Sequence, residues 1–387
     1  MRVVYTAPNR AHHYKYAAAL NAAGHLDAFV SGFPRISPNA KAPELNKKLH
    51  HSDIIQTIYI AGIKLKLPVK ITNYLAYLSK VEQDLACHKF MLDCDIFLFY
   101  NGSGLNSSRY GKKHGTITIV EAVNSHVEYQ EAILAEEHRN IGLPWRPFPS
   151  NEKKRRLSEY EEADYILLPS EFVKRSFIAK GFPEHKLLKV PYGFNKLKRA
   201  ESELNSNPKN KSFIVLYVGA ISIRKGIRYL IEAYNRLEVK SKKLIIVGPD
   251  AADGALTGVY LPPSIVFTGI LKGEQLEDAY SSADVFCLPS IEEGLALVLG
   301  EALSFGLPII TTCNTGADDI ITDGKEGYIV PVRDSDAIRD KLQILADDPK
   351  LLTEITMNSV AKANELDGWD ESGKNLVDCL QKVYLNK

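Results

Sequence analysis

The feature that most limits what this chain can become is a pattern that runs through it twice. Short apolar runs rich in Val, Ile, Leu and Phe alternate with longer stretches of helical periodicity. Apolar runs of strand length signal strands covered on both faces, and their alternation with helices signals parallel sheets flanked by helices. In the first half, strands are predicted over 2–6, 27–30, 96–100, 116–120, 165–168 and 187–191, with helices over 12–23, 71–91, 127–141, 152–162 and 171–180. The series then stops at 196–211, KLKRAESELNSNPKNK, a polar stretch with Asn-Pro at its middle, which reads as a linker. It resumes with strands over 213–218, 243–247, 265–267, 285–288, 309–312 and 328–330, and helices over 226–237, 274–282, 295–305, 317–321 and 336–346. The tail adds one more apolar helical stripe through Leu376, Val377, Leu380, Val383 and Tyr384.

Two α/β domains are therefore expected, 1–195 and 212–365, with 196–211 between them and a helix over 366–387 free to pack back on the first domain. A length of 387 residues agrees with this, since single domains commonly hold roughly 100–200 residues. Sheets of this kind bind ligands beyond the C-terminal ends of their strands, so two of them face to face would enclose a cleft. The five scattered cysteines form no C-x-x-C pair and read as free thiols of a reducing compartment. The first residues turn polar too soon for a signal-peptide core, and no apolar run approaches the roughly 18 residues that span a bilayer. A cytoplasmic protein is expected.

Net charge is +1 over the chain, but residues 1–200 carry 29 Lys and Arg against 19 Asp and Glu. The remainder holds 48−29=19 basic and 47−19=28 acidic residues. A basic first half fits an anionic partner or membrane surface, or ordinary solvated charge. The run Lys153-Lys154-Arg155-Arg156 reads as an exposed helix face. Segment 58–81 mixes apolar and tyrosine residues with Lys64, Lys66, Lys70 and Lys80, as either an interfacial stretch or an internal helix edged by lysines would.

The chemistry is concentrated in 284–308, DVFCLPSIEEGLALVLGEALSFGLP. A strand ends at Leu288, a turn follows, and a helix is predicted from Leu295. Glu293 and Glu301 are separated by seven residues, and eight helical positions advance about 12 Å and turn roughly 80° past two full turns. Both carboxylates are then expected on broadly one side, with the free N–H groups of Gly294, Leu295, Ala296 and Leu297 between them as an anion site. Gly294 would admit a phosphate closely, having no side chain. The spacing alone is equally met by a cap-region acid and an exposed helix residue. Upstream, Gly219 turns the chain after the first strand of this half, and Arg224-Lys225 follow at a predicted helix start, where two cations can neutralise a departing diphosphate.

The ordered set Gly219, Arg224-Lys225-Gly226, VGPD, Phe267-Thr268-Gly269, DVFCLPS, Glu293-Gly294, Glu301-Ala302 and Gly306-x-Pro308 resembles the retaining GT-B glycosyltransferases bearing the E-x7-E motif, glycosyltransferase family 4. The resemblance is specific over 211–332. It continues more weakly through Leu168-Pro169-Ser170 and Val190-Pro191-Tyr192-Gly193. It implies two Rossmann-like domains whose parallel sheets face an interdomain cleft, and it implies roles. Glu293 would contact the donor hexose, Glu301 the ribose hydroxyls, Lys225 the diphosphate, and Gly269-Ile270 the base. A histidine after a mid-domain strand would face the sugar, for which His126 is the candidate. This chain departs from the family at Ala220, where an arginine is usual and Arg224 would supply the charge. It departs again at Ala296, where a small glycine is usual, and in the first loop, TAPNRAHHYKY, which lacks the customary glycine pair. Asn9, Arg10, His12 and His13 there would either serve an unusual acceptor or cap the first helix.

The implied reaction moves a hexose from a UDP-, GDP- or ADP-sugar to an acceptor hydroxyl of a glycan, lipid-linked sugar or small molecule, with retention. No cofactor or metal is expected. Asp93-Cys94-Asp95 fits D-x-D, yet it precedes a buried strand in the first half and reads as structural. A nucleotide-sugar epimerase and a non-catalytic sugar-binding subunit are the alternative readings. A glycoside hydrolase would leave the cationic pair without a role. No G-x-G-x-x-G follows either first strand, and no nucleic-acid-binding module is present.

Overall fold

The computed structural model describes residues 1–195 and 212–386; the predicted linker, 196–211, lies outside the described residues. The first domain is built on a sheet of β1 (Val3–Ala7), β2 (Leu26–Ser31), β3 (Leu49–His51), β4 (Ile96–Tyr100), β5 (Ile117–Glu121), β6 (Tyr165–Leu168) and β7 (Leu187–Lys189). Its order is β3-β2-β1-β4-β5-β6-β7, with every neighbouring pair parallel. Helices α1 (His13–Ala22), α2 (Ile54–Lys64), α3 (Val69–Cys87), α4 (Leu105–Lys112), α5 (Val127–Asn140), α6 (Ser150–Glu162) and α7 (Glu171–Ile178) join the strands. The second sheet holds β8 (Phe213–Val218), β9 (Lys242–Val247), β10 (Ile265–Gly269), β11 (Val285–Leu288), β12 (Ile309–Thr312) and β13 (Gly327–Val330), in the parallel order β10-β9-β8-β11-β12-β13. Its helices are α8 (Ile227–Asn235), α9 (Glu274–Ser282), α10 (Leu297–Ser304), α11 (Ser335–Asp347) and α12 (Pro349–Glu365), and α13 (Trp369–Leu385) ends the chain.

The fully buried runs Val3–Tyr5, Ile96–Phe99, Leu216–Tyr217 and Val285–Leu288 show why periodicity found these strands: covered on both faces, they carry no polar alternation. Strand β3 escaped that reading because it is only Leu-His-His, half-buried at a sheet edge. Helix α2 also escaped it, and α3 begins at Val69 rather than 71. In the second half the stretch predicted as a helix over 317–321 is a single tight turn, Ala317–Asp319, and α12 was not foreseen.

Arg155 is a correction. It lies buried on α6, paired with Asp84 and 3.6 Å from Glu159, and its Nε donates to the Gly102 carbonyl at 2.6 Å. A basic run reads as a solvated face when partners distant in sequence are invisible.

Helix α13 crosses to the first domain and lies along α1, close enough that a side chain on Gly373 would meet the Ala19 methyl. Ser372 donates to the Pro191 carbonyl at 2.7 Å and sits 3.3 Å from the Tyr16 hydroxyl. In both sheets the order reverses beside the first strand, between β1 and β4 and between β8 and β11. That switch point, at the C-terminal strand ends, is where such folds hold ligands.

Candidate active site

Arg224 and Lys225 follow β8, and Glu293 follows β11, so the switch point of the second sheet brings the predicted cations and the first carboxylate together. Lys225 Nζ pairs with Glu293 Oε2. Arg224 reaches the same oxygen at 3.2 Å and donates to the Glu292 carbonyl at 2.9 Å. Burial works against ionisation of Glu293, but the charges of Lys225 and Arg224 outweigh it and hold the carboxyl below its ordinary range. Gly226 permits this turn: its φ is +64°, and a side chain there would collide with the Pro289 carbonyl.

Two expectations about the following segment are corrected. The helix starts at Leu297, not Leu295, so Glu293 stands in an irregular loop and helical geometry does not relate it to Glu301. The loop stays out of the helix because its amides are taken by the turn after β12: Glu293 N–H donates to the Asn314 carbonyl at 2.9 Å and Ala296 N–H to the Thr315 carbonyl at 3.0 Å. The bare Cα of Gly294 faces the first domain, not open space. A side chain there would strike the Val123 carbonyl of the first domain, and the Gly294 carbonyl accepts from Ser170 Oγ at 2.5 Å. Glycine here lets the domains touch. The amides at the entrance of α10 begin at Leu297, and the N-cap residue, Ala296, has no side chain able to cap them.

Glu301 lies half-buried on α10, where Tyr280 donates to it at 3.1 Å and Asn195, at the end of the first domain, also bonds it. Burial raises its pKa, and those hydrogen bonds offset part of the rise. Gly219, at the end of β8, donates to the Val247 carbonyl at 2.9 Å. A pocket of about 400 Å³ opens nearby, lined by Ile221, Gly248, Pro249, Phe267, Gly269 and the exposed Ile270. It is broad enough for a planar ring. A larger groove of about 770 Å³ runs elsewhere, between the C-terminal half of α1 and α13.

The first-domain candidates fare differently. His126 does not face the cleft. It caps α5, accepting from the Glu128 amide at 3.3 Å, and is buried against Tyr160, Phe177 and Phe182. Burial lowers its pKa to about 4. A residue one place away fell on the other side of the turn: Ser125 meets the second domain. Asn9 is exposed, and Arg10 bonds the carbonyls of Asn39 and Lys41 while lying over the Tyr14 ring. His12 and His13 neither cap α1 nor reach solvent. They converge on buried Glu121 at the end of β5, His12 Nε2 at 2.5 Å and His13 Nδ1 at 3.2 Å. Tyr5 donates to Glu121 at 2.8 Å, and Tyr192 stacks on His12 with ring centroids 4.0 Å apart. His12, His13 and Glu121 offer ligand atoms within 4.8 Å of one another, a set of the right chemistry for a cation. In the structure those atoms are hydrogen-bonded among themselves. Asp95 binds the Arg2 amide at 2.6 Å and Asp93 lies 3.5 Å from Arg2, both at the start of β4, the opposite end of the sheet from the cleft.

Sequence reasoning overlooked Glu292. Fully buried, it accepts from Ser125 N–H at 3.1 Å, Ser125 Oγ at 2.8 Å and Gln130 Nε2 at 2.8 Å, all in the first domain. Its only signal was the adjacent acid Glu293. Farther along the interface Glu137 accepts from Tyr229 at 2.9 Å and from Arg333 at 2.6 Å.

Residues 199–361 match the family model described as Glycosyl transferases group 1. The sulfoquinovosyl transferase of Arabidopsis thaliana is 32% identical over 200 residues, 49% of this chain and 39% of that protein. The first curated relatives are spanned over only 39% to 60% of their own length. Among solved structures, a sucrose-phosphate synthase from Thermosynechococcus elongatus superposes over all of both chains with a TM-score of 0.71 at 18% identity. Anabaena HepE in complex with UDP-glucose superposes over 99% of this chain and 100% of that one, with a TM-score of 0.65 at 14% identity. At such identities the likeness is one of fold, the two-domain GT-B arrangement.

Proposed function

We propose, from the match of residues 199–361 to the model of glycosyl transferases group 1, that the chain transfers a hexose from a nucleoside diphosphate sugar to an acceptor hydroxyl, with retention of anomeric configuration. The observation that carries the reading is the meeting of Lys225, Arg224 and Glu293 at the switch point of the second sheet. A diphosphate seated there would take over the two cations that the Glu293 carboxylate now occupies. That would free the carboxylate to accept from sugar hydroxyls. The uncapped entrance of α10 adds backbone N–H groups and the positive end of the helix dipole. Charge developing on the leaving diphosphate is thereby offset in the transition state, which is where stabilisation accelerates reaction. Glu301 is assigned to the ribose, and the pocket beside Gly269 and Ile270 to the base. Binding of UDP-glucose by the structural neighbour HepE supports a donor of this class.

In the first domain the cleft end carries the loop of Asn9 and Arg10, which we assign to the acceptor side, with His12 and His13 buried behind it on Glu121. A glycan, a lipid-linked sugar or a small hydroxyl compound all suit it. The surplus of basic residues in this half supports contact with an anionic membrane surface.

The deciding experiment has two steps. UDP, GDP and ADP are titrated against thermal unfolding, since a ligand of the native state raises apparent stability. The sugar nucleotide of the stabilising base is then incubated with and without an acceptor panel in the presence of EDTA. Glycosylated product of unchanged anomeric configuration, formed only with acceptor, is expected. Epimerised sugar formed without acceptor would replace this reading, as would dependence on manganese.

A further inference from the structure

Helices α2 and α3 form an antiparallel hairpin whose closed end is an unusual surface. Between Asp53 and Glu82 the chain contains no carboxylate, while Lys64, Lys66 and Lys70 are all exposed at or beside the turn. Around them Ile58, Ile63, Leu65, Val69, Ile71 and Tyr74 are exposed, Leu65 by 75%. Single exposed aliphatics are ordinary, but a contiguous group at the end of a projection marks a contact surface. The hairpin needs only part of its apolar residues for its own packing: Leu67 and Leu75 close over Gly62.

The topology says where this end points. The first amides of α2, those of Ile54 and Ile55, donate to Glu82 at 3.3 and 2.9 Å, and the Lys80 chain lies against Gly102 just past β4. That part of the hairpin is level with the C-terminal strand ends. From there α3 descends toward the start of β4, so its N-terminal half and α2 extend the other way. Eleven helical residues reach roughly 16 Å. The tip therefore stands beyond the strand ends.

We propose that the α2–α3 tip docks on a bilayer containing anionic lipid. Its aliphatic side chains enter the acyl boundary, and Lys64, Lys66 and Lys70 lie among the headgroups with their stems along the apolar surface. Charge complementarity selects this occupant, because the segment is cationic and free of acid throughout, and each lysine near an anionic surface strengthens partitioning roughly fivefold. Among the described residues no helix is long and apolar enough to cross a membrane, so the contact is peripheral. The docking sharpens the membrane contact drawn above from charge, and it stands whether or not the cleft transfers sugar.

The test is flotation of the full chain, without nucleotide, on vesicles of phosphatidylcholine alone and of phosphatidylcholine mixed equally with phosphatidylglycerol. Binding to the anionic vesicles only, weakened by salt, is expected. Replacing Lys64, Lys66 and Lys70 together by Gln should lower partitioning on the order of a hundredfold, and Leu65→Glu should lower it further. These positions are exposed, so both variants should keep the parent's unfolding temperature and its stabilisation by nucleotide. The proposal is overturned if the parent fails to float with anionic vesicles, if both variants float as well as the parent, or if Leu65→Glu instead dissolves a self-associated form seen by sedimentation.

Discussion

The buried carboxylate of Glu292 takes two hydrogen bonds from Ser125 of the opposite domain, through the Ser125 amide at 3.1 Å and its hydroxyl at 2.8 Å. With Gln130 as a third donor, this acid joins the domains one residue before the acid assigned to the sugar. Adjacent glutamates thus differ in their partners: Glu292 joins the cleft walls and lies 3.7 Å from Arg224, while Glu293 pairs with both Arg224 and Lys225.

Glu292→Ala should therefore act on stability. It strands the buried Gln130 amide and the Ser125 donors, a loss of about 2–3 kcal/mol. Urea unfolding followed by tryptophan fluorescence measures it, and a midpoint equal to the parent's would remove the bridging role.

Gly294→Ala should separate the domains without unfolding either. The new methyl meets the Val123 carbonyl, which belongs to backbone and cannot rotate away. Small-angle scattering should show a larger radius of gyration, and turnover should fall at least tenfold while circular dichroism stays that of the parent. Retained compactness with retained turnover would contradict the close approach.

Within the proposed site three substitutions should part company. Lys225→Ala removes a cation needed as charge develops, and should cut kcat by about 100-fold or more. Glu301→Ala should raise the donor KM with kcat little changed, the mark of uniform binding lost. Glu293→Ala should impair both. Steady-state kinetics with the stabilising donor reads all three, and parent-like constants throughout would dismiss the site.

Stability should decline under mild acid. Burial lowers the pKa of His12 and of His126 from 6.5 to about 4 in the folded protein, with His13 reinforcing the effect on His12 and the Lys180, Arg156 and Lys153 charges that on His126. As pH drops below 6.5 the unfolded chain takes up protons that the native state refuses. Stability present above that pH is lost until the folded groups titrate near 4. Each histidine contributes a slope of about 1.4 kcal/mol per pH unit. Urea midpoints measured from neutrality down to about pH 5 check this, and a flat profile would mean both rings are protonated or solvated in the native state.

Periodicity alone was enough for the two parallel sheets, because β1, β4, β8 and β11 are buried on both faces and their apolar runs are local facts of the chain. The cations at 224 and 225 and the acid at 293 were legible for a related reason: each follows a strand, and strand ends at a switch point converge by topology. What a residue does after a strand end depends on which way the turn carries it. His126 turned into an aromatic pocket while Ser125 met the second domain, and Gly294 admitted a backbone carbonyl where open space was expected. Glu121 gathered two histidines from a distant loop, and Glu292 found its donors in the other domain. Those partners lie a hundred residues or more away in the chain, and only packing brings them within hydrogen-bonding reach.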